Sequence, residues 1–204
     1  MKNNKLIARI LLFVASIFVA MSVYAASDPV AMLQSIANNM ISQLKANKAT
    51  LKSKPQIVYN LAYKYVVPYA DVDEMSRRVL PPNVWNSATP AQKQQFKREF
   101  TRLLIRTYAS ALTSYKDQVV QFYPVRGGSQ GSSVEVRSEI VGSDSSPISV
   151  TYRMVRSGGS WRLYDMSVEG VSMLSSFRSQ FSDILSNGNM QQLLGRMTSH
   201  NSGR

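Results

Sequence analysis

The chain has 204 residues, contains no cysteine and one histidine, and carries a formal net charge of +12 at pH 7. The absence of cysteine excludes disulfide bonds and metal sites built on thiolates. The one histidine, His200, lies four residues from the end of the chain, which argues against a Ser-His-Asp or Cys-His catalytic site.

The first 25 residues have the composition of a secretory signal peptide. Lys2, Lys5 and Arg9 precede an uncharged apolar run of 14 residues, ILLFVASIFVAMSV, and the tripeptide at 23–25 suits a cleavage site. A membrane-spanning helix is the alternative, but such a helix needs about 20 apolar residues. We therefore predict a soluble mature chain that begins near Ala26 and lies in the periplasm. Since no cysteine follows, a lipoprotein anchor is excluded.

The mature chain keeps a charge of +9 once the three leader cations are removed. A protein this basic in the cytoplasm would suggest nucleic acid, but the export signal removes that partner. Acidic protein surfaces and anionic lipid headgroups remain as candidates. The alternative is a basic surface that serves solubility alone.

Helical spacing of apolar residues predicts three helices in the first part of the mature chain. The dipeptide Asp28-Pro29 suits the start of the first helix, and Asp71 with Glu74 resembles a capping box at the start of the third. We expect these helices over residues 28–47, 55–68 and 71–80. The segment 83–87 is predicted to be a brief turn.

The clearest element is a long amphipathic helix that begins at Thr89-Pro90, with Gln92 as the partner in a capping box. Its apolar residues keep i, i+3, i+4, i+7 spacing over more than five turns, as far as Tyr115. Three arginines lie four residues apart on the opposite side: Arg98, Arg102 and Arg106. We interpret this basic stripe as the solvated face, with docking of a partner as the alternative.

Beyond Asp117 the apolar period becomes alternating and predicts four strands, over residues 119–125, 133–141, 148–156 and 160–168. Short turns between them predict an antiparallel meander with one apolar face that the helices must cover. In the last strand the parity of the apolar residues shifts, which either a bulge near Leu163 or two buried faces would explain. A closing helix follows Gly170. A polar tail should fray after Met197, so we expect disorder from about residue 198.

This order of elements indicates the α+β class. We expect N-terminal helices and a long amphipathic helix packed on a curved four-stranded antiparallel sheet, with a closing C-terminal helix. No linker or repeat divides the mature chain, so residues 26–204 are predicted to form one domain.

Asp165 is the one carboxylate inside an apolar strand. A general base there would need a raised pKa and a substrate beside it, whereas a structural carboxylate would need only backbone amides or an arginine. We favour the structural role. The acidic segment 71–74 is explained as carboxylates at a helix start, so we expect no metal site.

The run Trp161 to Met173, WRLYDMSVEGVSM, resembles the C-terminal signature of the MlaC family, also called the toluene-tolerance auxiliary family. Other landmarks agree in order: Pro68 to Asp73 before a short helix, Trp85 to Gln92 before the long helix, and its aromatic end from Tyr108 to Tyr115. The resemblance covers roughly residues 28–194 and rests on the ordered set, because no single motif is catalytic. The strongly basic charge and the Gly/Ser-rich first hairpin depart from the family pattern.

The resemblance implies a soluble periplasmic carrier without enzymatic activity. Such a carrier takes glycerophospholipid between an outer-membrane lipoprotein complex and an inner-membrane ABC transporter, and we expect it to be a monomer. The implied fold has an interior cavity that holds the acyl chains while the headgroup stays in water. Phospholipid is then cargo, and we expect no cofactor and no nucleic acid partner.

The apolar faces of the predicted elements supply candidates for the wall of this lipid cavity. The candidates are Val67, Met75, Val79, Leu80, Val84, Trp85, Phe100, Leu103, Leu104, Tyr108, Val136, Val150, Tyr152, Met154 and Met166. We expect some of them to belong to the plain hydrophobic core.

Two other functions stay open from the residues. A periplasmic isomerase or hydrolase on a cone-shaped α+β fold would use Asp165 as its base. An interaction adaptor without ligand would have a fully packed interior. Phospholipid retained by protein purified without detergent would distinguish the carrier from both.

Overall fold

The computed structural model describes residues 28–143 and 145–202. The predicted signal peptide, residues 1–25, lies outside this part of the chain. Within it, five α-helices come first, five β-strands follow, and two further α-helices come last. The α+β class is therefore confirmed.

The first helices begin where side chains satisfy free backbone N–H groups. Helix α1 (Pro29–Ala46) starts after Asp28, whose Oδ1 accepts a hydrogen bond from the Val30 N–H at 3.0 Å. Helix α3 (Val72–Val79) starts after Asp71, which accepts from the Glu74 N–H at 2.9 Å. The cap at Asp28 is confirmed. Only half of the predicted capping box forms at Asp71, because its N–H donates to the Leu163 backbone oxygen and Glu74 pairs with Arg77 and Arg78 instead.

Three shorter elements complete the N-terminal region. Helix α2 (Gln56–Tyr65) is followed by one 3₁₀ turn (Val67–Tyr69), and α4 (Pro82–Ser87) follows α3. The prediction of a simple turn at 83–87 was wrong, because the proline at the first helical position has no N–H to lose and suits a short helix.

The long helix α5 (Pro90–Thr113) begins at the predicted capping box. Thr89 Oγ1 accepts from the Gln92 N–H at 3.2 Å, and Gln92 Oε1 accepts from the Thr89 N–H at 2.9 Å. Its main packing partners are α2, α3 and the last helix, Met190–Asn201. The sheet packs mainly on α1, α3 and the helix Met173–Ser186. The predicted layer of helices over the sheet is thus present, although α5 itself packs mainly on other helices.

The strands form one antiparallel sheet in which every strand pairs with its neighbours in the chain. The meander is confirmed, but the sheet has five strands rather than the predicted four. The strands are β1 (Val119–Phe122), β2 (Ser133–Gly142), β3 (Ser145–Ser157), β4 (Ser160–Val168) and β5 (Val171–Ser172).

Strand β4 contains a bulge, one of the two explanations left open for its parity shift. Asp165 lies opposite Arg153, but Leu163 lies opposite Met154, so Tyr164 is an extra residue without a partner in β3. Tyr164 packs against apolar side chains of the helices. Leu163 packs against a separate group of apolar side chains, which α1 covers. The bulge therefore explains the parity shift seen in the sequence.

The chain ends in two helices, α6 (Met173–Ser186) and α7 (Met190–Asn201), where one closing helix was predicted. Helix α7 buries Leu193 and Leu194 fully. At its end, Asn201 Nδ2 donates to Glu99 Oε2 at 2.8 Å. The expectation of fraying after Met197 is corrected, because this contact and the buried leucines hold the helix on α5.

Candidate functional site

One face of the sheet is apolar across β2, β3 and β4. The register places Tyr152 between Val136 and Met166, and Ser138 beside Val150. Alternation sends the charged residues that flank these rows in β2 and β3 to the other face; they are Glu135, Arg137, Glu139 and Arg153. The apolar face therefore lacks a charged side chain in these register rows.

The buried apolar side chains form three separate clusters. The helical cluster contains residues of α3, α5, α6 and α7, and the α1–α2 cluster joins those helices to the end of α5. The sheet cluster places Leu33 of α1 against Val136, Met154 and Trp161. The interior is thus divided, with the long helix and the apolar sheet face belonging to different clusters.

The structure separates the predicted wall residues into three groups. The helical cluster holds Met75, Val79, Leu80, Val84, Trp85, Phe100, Leu103, Leu104 and Tyr108. The sheet cluster holds Val136, Tyr152 and Met154. Val67, Val150 and Met166 belong to none of the three clusters of described residues.

Phe100 lies at the centre of an aromatic group in the helical cluster. Its ring centroid is 5.4 Å from that of Phe96, 5.6 Å from Phe177 and 5.7 Å from Phe181. All four side chains are buried. These edge and stacked contacts fill the space around Phe100 with protein, so Phe100 fits the plain core better than a ligand wall.

Four predicted wall residues on α5 and the sheet differ from the packed core in burial or in cluster membership. Leu104, Tyr108 and Met166 are half-buried, and Val150 is buried outside every cluster. Burial raises the pKa of the Tyr108 hydroxyl, and the charge of Asp165 adds to that rise. These four residues stay candidates for a wall that contacts a ligand between α5 and the sheet.

Two open clefts lie on the surface of the part described. One, of about 660 Å³, lies between α6 and α7, beside His200. The other, of about 550 Å³, lies along α5 and is lined by Tyr63, Val67, Val72, Asp73, Lys97, Arg98, Thr101 and Arg102. Val67 thus lines this surface cleft, and an enclosed cavity between α5 and the sheet stays a prediction.

The basic stripe of α5 is exposed at Arg98, Arg102 and Arg106. Arg102 lies 3.4 Å from Glu99 in an ion pair whose arginine is exposed, and Arg106 donates to the backbone oxygen of Asn201. These contacts agree with the interpretation of a solvated face.

Asp165 is 3 % exposed and accepts four hydrogen bonds. Oδ2 accepts from Arg153 Nη1 at 2.8 Å and from Ser172 Oγ at 2.7 Å. Oδ1 accepts from the backbone N–H groups of Met166 at 2.9 Å and Leu174 at 3.0 Å. These donors are the arginine and backbone amides expected of a structural carboxylate, and they join β3 and β4 to the start of α6.

A metal-binding grouping is absent from residues 28–143 and 145–202. No three His, Cys, Asp or Glu side chains in this part lie close enough to hold a metal ion. His200 is exposed on α7. Among the same residues, no helix has the length and apolar character needed to cross a bilayer.

Some residues near the apolar sheet face were not among the predicted wall residues. Phe122 packs on Tyr152, with ring centroids 5.8 Å apart, and Ser138 is 1 % exposed. The alternation of Ser138 with Arg137 and Glu139 was visible in the sequence, and Ser138 shares the parity of Val136. Leu33 of α1 could not be found this way, because helical periodicity does not say which strand a helix covers.

The fold and this interior define an α+β protein whose buried surfaces are apolar and whose one buried strand carboxylate is structural. The chain belongs to the MlaC family, since the family model described as MlaC protein matches residues 34–199. The family expected from the sequence is therefore confirmed.

Two relatives and one solved structure place the chain within this family. The toluene tolerance protein ttg2D of Pseudomonas putida is 30% identical over 166 residues, which cover 81% of this chain and 77% of that protein. The intermembrane phospholipid transport system binding protein MlaC of Haemophilus influenzae is 27% identical over 192 residues, or 92% of this chain and 89% of that protein.

The solved structure is that of a phospholipid-binding protein from Ralstonia solanacearum in complex with a phospholipid. It is similar to this chain with a TM-score of 0.79 and 28% sequence identity. The match covers 87% of this chain and 98% of that protein. The similarity therefore extends over the whole α+β fold rather than one motif.

Proposed function

We propose that this chain is a soluble periplasmic carrier that encloses the acyl chains of a glycerophospholipid. The observation that carries the proposal is its similarity, over 87% of its length, to a protein solved with a bound phospholipid. The absence of a metal-binding group in the described part and the structural role of Asp165 support a carrier over an enzyme.

The energetics set what such a carrier must do. Each buried methylene contributes about 0.8 kcal/mol, so two acyl chains of ordinary length represent roughly 20 kcal/mol that the bilayer already provides. A carrier that left one chain in water could not extract the lipid. Its interior must therefore cover both chains and match the bilayer closely, since a much tighter interior would prevent release.

The divided interior supports this proposal. The half-buried side chains Leu104 and Tyr108 of α5 belong to the helical cluster, while Val150 and Met166 lie on the sheet. Side chains of α5 and of the sheet would contact the acyl chains, which would lie between the helical cluster and the sheet. No cation is needed inside, because the headgroup stays at the surface in water.

We further propose that the carrier works as a monomer between an outer-membrane lipoprotein complex and an inner-membrane ABC transporter. The name of the Haemophilus influenzae relative, an intermembrane phospholipid transport binding protein, supports this placement. Fractionation and N-terminal sequencing of the exported protein test its location, and we expect cleavage after Ala25. A chain retained in the cytoplasm would contradict the periplasmic role.

Native mass spectrometry of the protein purified without detergent tests the carrier function. We expect an added mass of one or two phospholipids, released as intact lipid on extraction. The bare polypeptide mass, found repeatedly in protein expressed in a phospholipid-rich host, would contradict the proposal and favour an adaptor without ligand.

A further inference from the structure

Two hydroxyl groups lie on the apolar face of the sheet. Ser138 is 1 % exposed and sits between Phe122 and Val150 in the register, while Tyr152 sits between Val136 and Met166. The remaining positions of these two rows on this face are apolar. A wall whose only task is to contact hydrocarbon does not need these hydroxyl groups.

The two hydroxyls satisfy each other poorly. Ser138 Oγ donates to Tyr152 Oη across 3.4 Å, longer than the 2.7–2.8 Å typical of a hydroxyl pair. One hydrogen bond between two hydroxyls uses only one of their two protons, so the pair keeps one donor to spare within the described chain. Burial raises the pKa of the Tyr152 hydroxyl, which keeps it protonated at neutral pH. With Ser138 as the donor within the pair, the spare donor in these apolar surroundings is Tyr152.

The charges around this donor limit what it can bind. The ionised side chains nearest in register, Glu135, Arg137 and Arg153, alternate to the opposite face. Arg156 shares the parity of Tyr152 but lies four residues further along β3, where it stacks on the Trp161 ring. An anionic phosphate beside Tyr152 would be desolvated without a cation to pair with it, which is strongly unfavourable. The acceptor must therefore be an uncharged oxygen.

We propose that the Tyr152 hydroxyl donates a hydrogen bond to an ester carbonyl of the bound phospholipid. Ester carbonyls are the uncharged acceptors that join the acyl chains to the glycerol, so they enter an apolar interior together with the chains. The inference rests on the proposed carrier function and adds to it a polar subsite that distinguishes ester-linked from ether-linked lipids.

Competition between an ester lipid and its ether analogue tests the subsite. The delipidated protein is reloaded from equal amounts of dipalmitoyl phosphatidylglycerol and its di-O-hexadecyl ether analogue, and both complexes are counted by native mass spectrometry. The ether lipid has the same headgroup and nearly the same chains but lacks the carbonyls. We expect the unmodified protein to load the ester form about fivefold more, the value of one net hydrogen bond.

Tyr152→Phe keeps the aromatic ring and removes only the donor. We expect this variant to load both lipids equally. Tyr123→Phe is the matched control, since Tyr123 is exposed and donates to Glu139 at 2.8 Å, and it should keep the fivefold preference. Ser138→Ala leaves the tyrosine proton in place and should keep the preference too.

The outcomes separate the subsite from the carrier function. Equal loading of ester and ether lipids by the unmodified protein overturns the subsite but leaves the carrier intact, and this comparison does not depend on a variant that folds. A preference that survives in Tyr152→Phe also overturns it, as does a preference lost only in Ser138→Ala. Failure of the unmodified protein to load either lipid overturns the carrier function itself.

Discussion

Arg153 and Asp165 face each other across strands β3 and β4, with 2.8 Å between Arg153 Nη1 and Asp165 Oδ2. The carboxylate is almost fully buried, while the arginine side chain is 40% exposed. Asp165 also accepts the backbone N–H of Leu174, so the same carboxylate fixes the first turn of α6. The pair therefore connects the sheet to the helical cluster at the point where the bulge turns β4.

Asp165→Asn should destabilise the protein without removing its lipid. The amide can accept at one position only, so Arg153 Nη1 or a backbone N–H loses its partner. We expect the free energy of unfolding to fall by about 2–3 kcal/mol, a value reduced for the exposure of the arginine. Urea unfolding gives the stability, and native mass spectrometry at low temperature gives the lipid content.

The matched control is Arg137→Gln, which removes an exposed pair with Glu135 at 3.4 Å. Such a pair contributes at most about 1 kcal/mol, so the control should unfold nearly as the unmodified protein does. A well-folded Asp165→Asn protein that had lost its lipid, or that accumulated an unprocessed substrate, would support the enzyme hypothesis instead.

Leu104→Asp should abolish lipid retention. The side chain is half-buried on α5 and packs against the helical cluster, and a carboxylate in the predicted wall would meet the acyl chains without a cation. Because a buried unpaired charge is strongly unfavourable, we expect lipid occupancy to fall roughly tenfold or more. Val150→Asp, in the predicted wall on the sheet, should act alike, and native mass spectrometry measures both.

Ile184→Asp controls for the general effect of a charge in a half-buried apolar position. Ile184 packs on the helical cluster but lines the cleft between α6 and α7, away from the sheet. This variant should keep its lipid. Circular dichroism must show that all three variants are folded, and unchanged lipid content in both Leu104→Asp and Val150→Asp would contradict the assigned wall.

The sequence predicted the local elements better than their packing. The capping box at Thr89 and Gln92 and the bulge at Tyr164 depend on neighbouring residues and on parity, so both could be predicted. Helix α7 was missed although Asn189 and Gln192 form the same type of box. Because its composition is mostly polar, the two leucines that it buries were not recognised as the apolar face of a helix.

The arrangement of the interior could not be predicted in the same way. Periodicity shows that a residue is apolar on one face, but it does not say which other element covers that face. Phe100 and Leu104 lie one turn apart on α5, yet Phe100 is enclosed by three phenylalanines and Leu104 is half-buried. Only the packing of α6 on α5 separates core from candidate wall.

Phe100→Ala should lower stability through a cavity in the aromatic group. Truncation of a fully buried phenylalanine leaves space that its neighbours cannot fill, at a cost of about 3–5 kcal/mol. We expect this loss in urea unfolding of the delipidated protein, where no lipid contributes. Phe100→Leu, which keeps most of the volume, should lose about 1.5 kcal/mol or less. An effect seen only with lipid bound would instead place Phe100 in the wall.

Tyr152 should make the protein sensitive to alkaline pH. Burial raises the pKa of its hydroxyl in the folded state, so the folded protein holds the proton more tightly than the unfolded chain does. The stabilisation is fully present below the unfolded value near 10 and is lost as the pH rises through the higher folded value, by at most about 1.4 kcal/mol per pH unit. Tyr152→Phe should therefore lose less stability between pH 9 and 11 than the unmodified protein, in chemical denaturation at each pH. Between pH 7 and 9 the difference between the two should stay constant.

Gly188→Ala should loosen the junction between α6 and α7. An added Cβ would lie 2.3 Å from Gln192 Oε1 and 2.8 Å from the backbone oxygen of Ile184. Gln192 can move, but it would then lose its capping bond to the Asn189 N–H, and the backbone oxygen at the end of α6 can move only with its helix. Loss of the cap alone should lower stability by about 1 kcal/mol, and the backbone contact adds to it. Gly195→Ala on the exposed side of α7, where an added Cβ meets nothing within 4 Å, should instead raise stability slightly, because alanine favours the helix. Thermal unfolding of the two variants side by side checks both signs, and equal melting temperatures would contradict the close contact at Gly188.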